Sequence, residues 1–412
     1  MYAVWIWTMS VILCRQDDAT VNTVRSSQRY DVTMAAGRAG FFRTGAFSHT
    51  NASVDRVLRA CLPEVSWESI DIIQSIGGRW PSQLYLAFAA LRHYGPSRCW
   101  PPRRALRYGR RTPAYFQRSR ELLRRSCSGR SYEFTFQTQS IVDARIDGVP
   151  HFVYTDHTQL ANLYYPAHRR DDLPAPEWIA CERSLYLNAT LIFTMSSHVS
   201  RSLIEQYGCD PARVVCAYAG PNAPLPALES ARPDRFSGMR ILFIGKDWQR
   251  KGGPQLVAAF DKVRKVYPHA ELVIVGCTPK IAADNCRVVG PVPVTEVGRY
   301  FEEASVFCMP TRNEPFGLVF IEAFAHELPI VSSQIGALPD IVEEGRSGYL
   351  VEADDVDTLA VRLMDLLGDP DKCRRFGAHG RELVKSRYTW ENVGRIMSDN
   401  IRRHVPALQR QG

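Results

Sequence analysis

The sequence predicts an α/β protein of two doubly wound, parallel-sheet domains facing a cleft, and three observations carry that expectation. The chain of 412 residues is longer than one hydrophobic core usually supports, domains running to about 100–200 residues. In its C-terminal half, short apolar runs closed by glycine alternate with helix-period stretches, the pattern of βαβ units and a parallel sheet. Between the halves, residues 219–238 carry several prolines and little apolar periodicity, which marks a linker and a hinge.

The C-terminal half reads most clearly. Met239–Ile244 ends at Gly245 and precedes a helical stretch from Leu256 to Val266, and Leu272–Val275 ends at Gly276. The alternation continues through Arg287–Val289, a helix about Val297–Ala304, the run Val306–Met309, a helix from Leu318 to Ala325 and a strand from Ile330 to Ser332. In the N-terminal half, Val32–Ala36, Glu133–Phe136 and His151–Tyr154 look like buried strands, and residues 177–190 form a helical stretch leading to Leu191–Thr194. A second α/β domain is the economical reading. The chain divides into an extension or misassigned start (1–28), an N-terminal domain (29–222), a linker (223–238), a C-terminal domain (239–390) and a terminal helix or tail (391–412).

With 45% hydrophobic and 23% charged residues, neither wholesale disorder nor a multi-span membrane protein fits. The net charge of +8 is unevenly placed, since residues 1–200 hold 24 Arg, no Lys and 16 acids, whereas the remainder balances. Residues 98–130 alone contain eleven Arg against one acid, Glu121. That run reads either as a solvated face or as a patch for an anionic leaflet or an anionic lipid-linked acceptor. No recognised nucleic-acid module accompanies it, so nucleic acid is not an expected partner. Eleven scattered cysteines without a C-x-x-C pair suit a reducing cytoplasm better than a disulfide framework. The apolar opening, Met1–Cys14, lacks a basic flank and is too short to span a bilayer.

The chemistry concentrates in Thr311-Arg312-Asn313-Glu314-Pro315-Phe316-Gly317-Leu318-Val319-Phe320-Ile321-Glu322, at the carboxyl end of an expected strand, where open α/β sheets bind ligands. Pro315 and Gly317 let the chain turn into a helix whose first free N–H groups, expected at Phe316, Gly317 and Leu318, attract anions such as a sugar diphosphate. Glu314 can accept hydrogen bonds from sugar hydroxyls, and Glu322 can reach a ribose diol. Two acids beside a diphosphate repel it, at about 4 kcal/mol for like charges 4 Å apart at an effective dielectric near 20. Cations must therefore converge there. They are available in the loop Gly245-Lys246-Asp247-Trp248-Gln249-Arg250-Lys251-Gly252-Gly253, where Lys246, Arg250 and Lys251 can neutralise a departing nucleoside diphosphate.

Glu314 and Glu322 with the intervening Pro-Phe-Gly, the basic loop from Gly245 to Gly252, and Gly336-Ala337-Leu338-Pro339-Asp340-Ile341-Val342 together resemble glycosyltransferase family 4. The resemblance is strongest over about residues 239–390 and traceable over 130–225. It implies the GT-B fold of two Rossmann-like domains, and retaining transfer without metal or other cofactor. A nucleotide-sugar donor would sit in the C-terminal domain, and a glycan or lipid-linked hydroxyl acceptor mainly on the N-terminal one, at the inner face of the membrane or free in the cytoplasm. By the same resemblance Glu314 touches the donor sugar, Glu322 the ribose, and Lys251 with Lys246 or Arg250 the diphosphate. Lys246 stands where the family usually has Arg. Val153-Tyr154-Thr155-Asp156-His157-Thr158 resembles the family's strand-end Thr-x-His-Thr, which puts His157 near the reacting sugar with Asp156 beside it. Gly45, after the first strand, would let the backbone approach the diphosphate. A nucleotide-sugar epimerase of the same fold and a catalytically inactive sugar-nucleotide-binding scaffold are the rival readings.

Two further motifs carry less. Asp355-Val356-Asp357 could hold a metal in another architecture, but its place before the helical stretch Leu359–Leu367 suits a helix cap. Asn51-Ala52-Ser53 and Asn188-Ala189-Thr190 match the glycosylation sequence, which is without consequence in a cytoplasmic chain.

Overall fold

A computed structural model describes residues 37–409 apart from 46, 48–49, 73–79, 223–225 and 227–233. The expected strand Val32–Ala36, the extension 1–28 and most of the expected linker lie outside the described residues. Within them, the N-terminal half runs β1 (Gly37–Arg43), α1 (Thr50–Cys61), β2 (Val65–Asp71), α2 (Trp80–Cys99, kinked at Gly95), α3 (Pro102–Gly109), α4 (Pro113–Ser126), β3 (Phe134–Thr138), β4 (His151–Thr155), α5 (Pro176–Asn188), β5 (Leu191–Thr194), α6 (Ser197–Glu205) and β6 (Val214–Cys216). The C-terminal half follows with β7 (Arg240–Ile244), α7 (Gly253–Val266), β8 (Glu271–Val275), β9 (Cys286–Gly290), α8 (Val297–Glu303), β10 (Val306–Met309), α9 (Leu318–Ala325), β11 (Ile330–Ser333), α10 (Leu338–Ile341), β12 (Gly348–Val351), α11 (Val356–Leu367), α12 (Pro370–Arg387), α13 (Trp390–His404) and α14 (Pro406–Gln409).

All strand pairs are parallel, and they form two six-stranded sheets ordered β2-β1-β3-β4-β5-β6 and β12-β11-β10-β7-β8-β9. The central strands are buried on both faces, which is why they read as unbroken apolar runs rather than alternating ones. Phenylalanines tie the first sheet together across its strands, with Phe41 stacked on Phe136 at 5.9 Å and Phe136 on Phe193 at 6.2 Å between ring centroids. The order of each sheet reverses between two central strands, β1 and β3 in the first and β7 and β10 in the second. A crevice opens at each reversal, outside the carboxyl ends of the strands.

The two halves are joined more than once. Beyond the linker, α13 returns from the C-terminal half and lies on α1, where Gly394 packs so closely that a Cβ there would stand 3.0 Å from Val57 Cβ. Arg402 pairs with Glu64 at 2.9 Å and donates to the Cys61 carbonyl at 2.7 Å, while the Trp390 indole donates to the Pro221 carbonyl at 2.8 Å. Among the described residues no helix is long and apolar enough to cross a membrane.

Candidate active site

The cluster lies at the β7/β10 reversal of the second sheet. The basic loop leaves β7 at Gly245, and the glutamate segment leaves β10 after Met309, so neighbouring strands deliver both to one edge. Two hydrogen bonds to main-chain carbonyls then staple them together, since the Arg312 N–H donates to the Arg250 carbonyl at 2.8 Å and the Arg250 guanidinium donates to the Asn313 carbonyl at 2.6 Å. Gly252 makes that approach possible. It adopts φ +74, and a Cβ there would stand 1.8 Å from the Pro310 carbonyl oxygen, so any side chain would push the two loops apart.

The outcome is a direct ion pair between Lys251 Nζ and Glu314 Oε2, with both side chains largely buried. Burial pulls the Lys251 ammonium down to about 8, against the opposing pull of Glu314. A buried cation with one acidic partner keeps donor capacity for a second anion. Arg250 is half-buried, with Asp247 3.6 Å from its Nε. Lys246 differs, being exposed and, among the described residues, without an ion pair.

The helix after the glutamate segment starts at Leu318, as its apolar run suggested, but its free amides begin later than expected. Gly317 is the N-cap and α9 begins at Leu318, so the amides free of intrahelical acceptors start at Leu318 and Val319 rather than at Phe316. Phe316 instead turns inward against Tyr388. Glu322, inside α9, faces the linker, where Asn222 donates to its Oε1 at 3.4 Å, and burial pushes its carboxyl up to about 7.

The first domain reaches the same crevice from the end of β4. Gly45 follows β1 in a positive-φ turn, its carbonyl held by Asn51 Nδ2 at 2.6 Å. Asp156 and His157 follow β4; burial pushes the Asp156 carboxyl up to about 7, with the Glu314 carboxylate adding to it. Burial likewise holds the His157 imidazole at about 3, with His198 and His168 nearby. The ring is therefore neutral in ordinary buffers, and its Nδ1 is buried without a hydrogen-bond partner among the described residues.

Further contacts around the glutamate segment and between the halves were not among the expected site roles. Buried Tyr165 donates from its hydroxyl to the Glu314 carbonyl at 3.0 Å, linking the first domain to the backbone of the glutamate segment. Gly336, with φ +56, closes the other side, since a Cβ there would stand 2.2 Å from that same carbonyl oxygen. Asp340 accepts the Ser197 N–H at 2.6 Å and its hydroxyl at 2.5 Å, clasping the start of α6 to α10. Tyr165 sits in an irregular stretch without periodicity, and Asp340 lies within a quoted motif but offers no local reason for a partner in the other half.

The other motifs resolve structurally. Asp355 caps α11, accepting the Thr358 N–H at 3.0 Å, and Asp357 pairs with Lys262. The Arg-rich run divides in two: Arg118, Arg120, Arg124, Arg125 and Arg130 pair with Glu121, Asp143, Asp147 and Glu68. The arginines expected as a patch over 98–130 are thus paired along α4, and those without an ion pair among the described residues lie on α2, on α3 and just after it.

Residues 238–369 match the family described as Glycosyl transferases group 1. A D-inositol 3-phosphate glycosyltransferase of Corynebacterium kroppenstedtii is 28% identical over 275 residues, covering 60% of this chain and 60% of that protein. A GDP-mannose-dependent alpha-(1-6)-phosphatidylinositol monomannoside mannosyltransferase of Mycobacterium tuberculosis is 33% identical over 171 residues, 37% of this chain and 44% of that protein. The chain thus spans about half the length of these relatives. Among solved structures, a sucrose-phosphate synthase from Thermosynechococcus elongatus superposes with a TM-score of 0.64 at 18% identity, over 89% of this chain and 98% of the other. That likeness establishes the two-domain GT-B architecture.

Proposed function

We propose that this chain, a member of the group 1 glycosyltransferases with the GT-B fold, transfers a sugar from a nucleoside-diphosphate donor to a hydroxyl acceptor with retention at the anomeric carbon. The observation that carries the reading is the Lys251–Glu314 pair at the sheet's reversal point, with Arg250 bonded to the same segment. A sugar diphosphate offers each member a partner: the diphosphate takes Lys251 and Arg250, and the sugar hydroxyls take Glu314. As the glycosidic bond breaks, negative charge grows on the β-phosphate, and cations already fixed there stabilise it without reorganising.

In this reading the leaving β-phosphate accepts the acceptor hydroxyl's proton while that hydroxyl attacks the face being vacated, so no protein nucleophile and no metal are called upon. Neutral His157 contributes a hydrogen bond to the sugar or the leaving phosphate. Glu322 with Asn222 holds the ribose, and Gly45 admits the diphosphate from the first domain. The acceptor, a glycan, a lipid-linked sugar or a small glycoside, enters from the side of Asp156 and His157. Ten cysteines among the described residues are free thiols, which supports a reducing, cytoplasmic setting.

The test is donor turnover. With UDP-, GDP- and ADP-sugars screened for thermal stabilisation, a donor at 100 times its Kd raises stability by about 2.7 kcal/mol. Hydrolysis of the stabilising donor by wild type should exceed that by Glu314→Ala by at least tenfold. Equal background rates would leave a binding protein, and release of an epimerised free sugar would favour the epimerase.

A further inference from the structure

The helical hairpin inserted between β2 and β3 is built inside-out. In α2, Leu84, Phe88 and Leu91 recur at the i, i+4, i+7 spacing of one helix face, yet that face is turned to solvent, with exposures of 63%, 66% and 44%. Trp100, between α2 and α3, is 71% exposed. The opposite face packs Ala90 with Cys99 and Ala105, Tyr94 with Tyr108 at 4.8 Å between ring centroids, and Gly109 so close to Leu86 that a Cβ there would stand 2.6 Å from its carbonyl oxygen. A second set of large apolar side chains is thus displayed outward on a firmly seated scaffold. Tyr94 donates to the Arg111 carbonyl at 2.8 Å, and Trp178 of α5 donates to the Arg110 carbonyl at 3.3 Å.

The charge around this face has one sign. Residues 80–120 contain nine Arg and no Asp or Glu. Those on α4 find acids elsewhere, but among the described residues Arg92, Arg98, Arg103 and Arg104 have no ion-pair partner and are exposed. We propose that the solvent face of the α2–α3 hairpin docks on an anionic bilayer surface, with Leu84, Phe88, Leu91 and Trp100 entering the headgroup–acyl boundary and the flanking arginines holding lipid phosphates. Apolar bulk beside basic side chains is the pattern that lies in a membrane interface. A second copy of this chain would bring the same arginines into like-charge contact, and a nucleic acid, whose bases stack on aromatic rings, offers no partner for Leu84 and Leu91. The inference is independent of the transfer reaction proposed above, and it moves the membrane contact from residues 98–130 as a whole to residues 84–104.

Flotation of the full-length chain with vesicles of phosphatidylcholine alone, and with 30% phosphatidylglycerol, tests it. Wild type is expected to bind the anionic vesicles at least tenfold more tightly than the neutral ones. Arg103→Gln with Arg104→Gln should lower anionic binding roughly 30-fold, two charges at the usual worth of basic residues near such a surface. Leu84→Ser with Phe88→Ser and Leu91→Ser should lower it at least tenfold while leaving the melting temperature and nucleoside-diphosphate binding near wild type. If that triple variant melts early, Phe88→Ser alone, at the most exposed of the three positions, should still weaken binding severalfold. Equal binding to both vesicle types, wild-type binding by the variants, or a concentration-dependent dimer abolished by Phe88→Ser would each overturn the proposal, the last in favour of a second copy.

Discussion

Lys251 is a cation held where burial disfavours its charge, and Glu314 offsets that cost only in part. In the proposed reading a diphosphate supplies the missing anion, so Lys251→Met should weaken nucleoside-diphosphate binding by roughly 10- to 100-fold, the worth of a charge-assisted hydrogen bond at about 1.5–3 kcal/mol. Calorimetric titration reads this directly. The pH dependence follows from the same group. Its pKa is lowered to about 8 by burial, so the ammonium is present below that pH and lost above it. Diphosphate affinity should therefore fall as pH rises through about 8. Lys251→Arg, which stays charged at every accessible pH, should remove that alkaline limb; a limb that persists in the Arg variant would assign it to another group. Lys246, exposed and outside the Lys251–Glu314 pair, should tolerate Lys246→Gln with less than a threefold change in affinity.

At the scale of elements, the site exists because β7 and β10 are adjacent and their loops touch, and Gly252 is the point of closest approach. Gly252→Ala would set a Cβ against the Pro310 carbonyl in a left-handed backbone conformation, and chemical denaturation should show a loss of at least about 2 kcal/mol. Donor binding should fall with it, since Lys251 is the next residue. The elements of this half were legible in the sequence because buried parallel strands write themselves as apolar runs closed by glycine, as Met239–Ile244 before Gly245 and Leu272–Val275 before Gly276 do. The first half was harder to read. β2 lies at the sheet edge with a half-exposed, polar pattern, so no apolar run announces it. The start of α9 at Leu318 was legible, but its free amides were expected from Phe316 because Pro315 suits a first helical turn, whereas Gly317 takes a positive φ that makes it the cap. The α2 stripe misleads in another way, since periodicity records which residues share a face without saying whether that face meets the core or the solvent. Residues that act across the cleft, Tyr165 and Asp340 among them, were illegible because their partners are defined only by the tertiary fold.

On the scale of the whole molecule, the two sheets are held at a fixed mutual setting by separate ties: Tyr165 to the Glu314 backbone, Ser197 to Asp340, and α13 to α1. The Ser197–Asp340 clasp spans the crevice, and closure of a transferase excludes the water that would hydrolyse its donor. Asp340→Ala should leave each domain folded but shift the population toward open forms, seen as a larger radius of gyration by small-angle scattering and a higher ratio of donor hydrolysis to transfer. An unchanged ratio would make the clasp merely structural. The central claim is that Lys251 and Glu314 serve different parts of one ligand. Affinities of Lys251→Met and Glu314→Gln for the stabilising nucleotide sugar and for its bare nucleoside diphosphate test this most directly. The expected result is that Lys251→Met weakens both ligands alike while Glu314→Gln weakens only the nucleotide sugar; folded variants that bind both ligands as wild type does would contradict the claim.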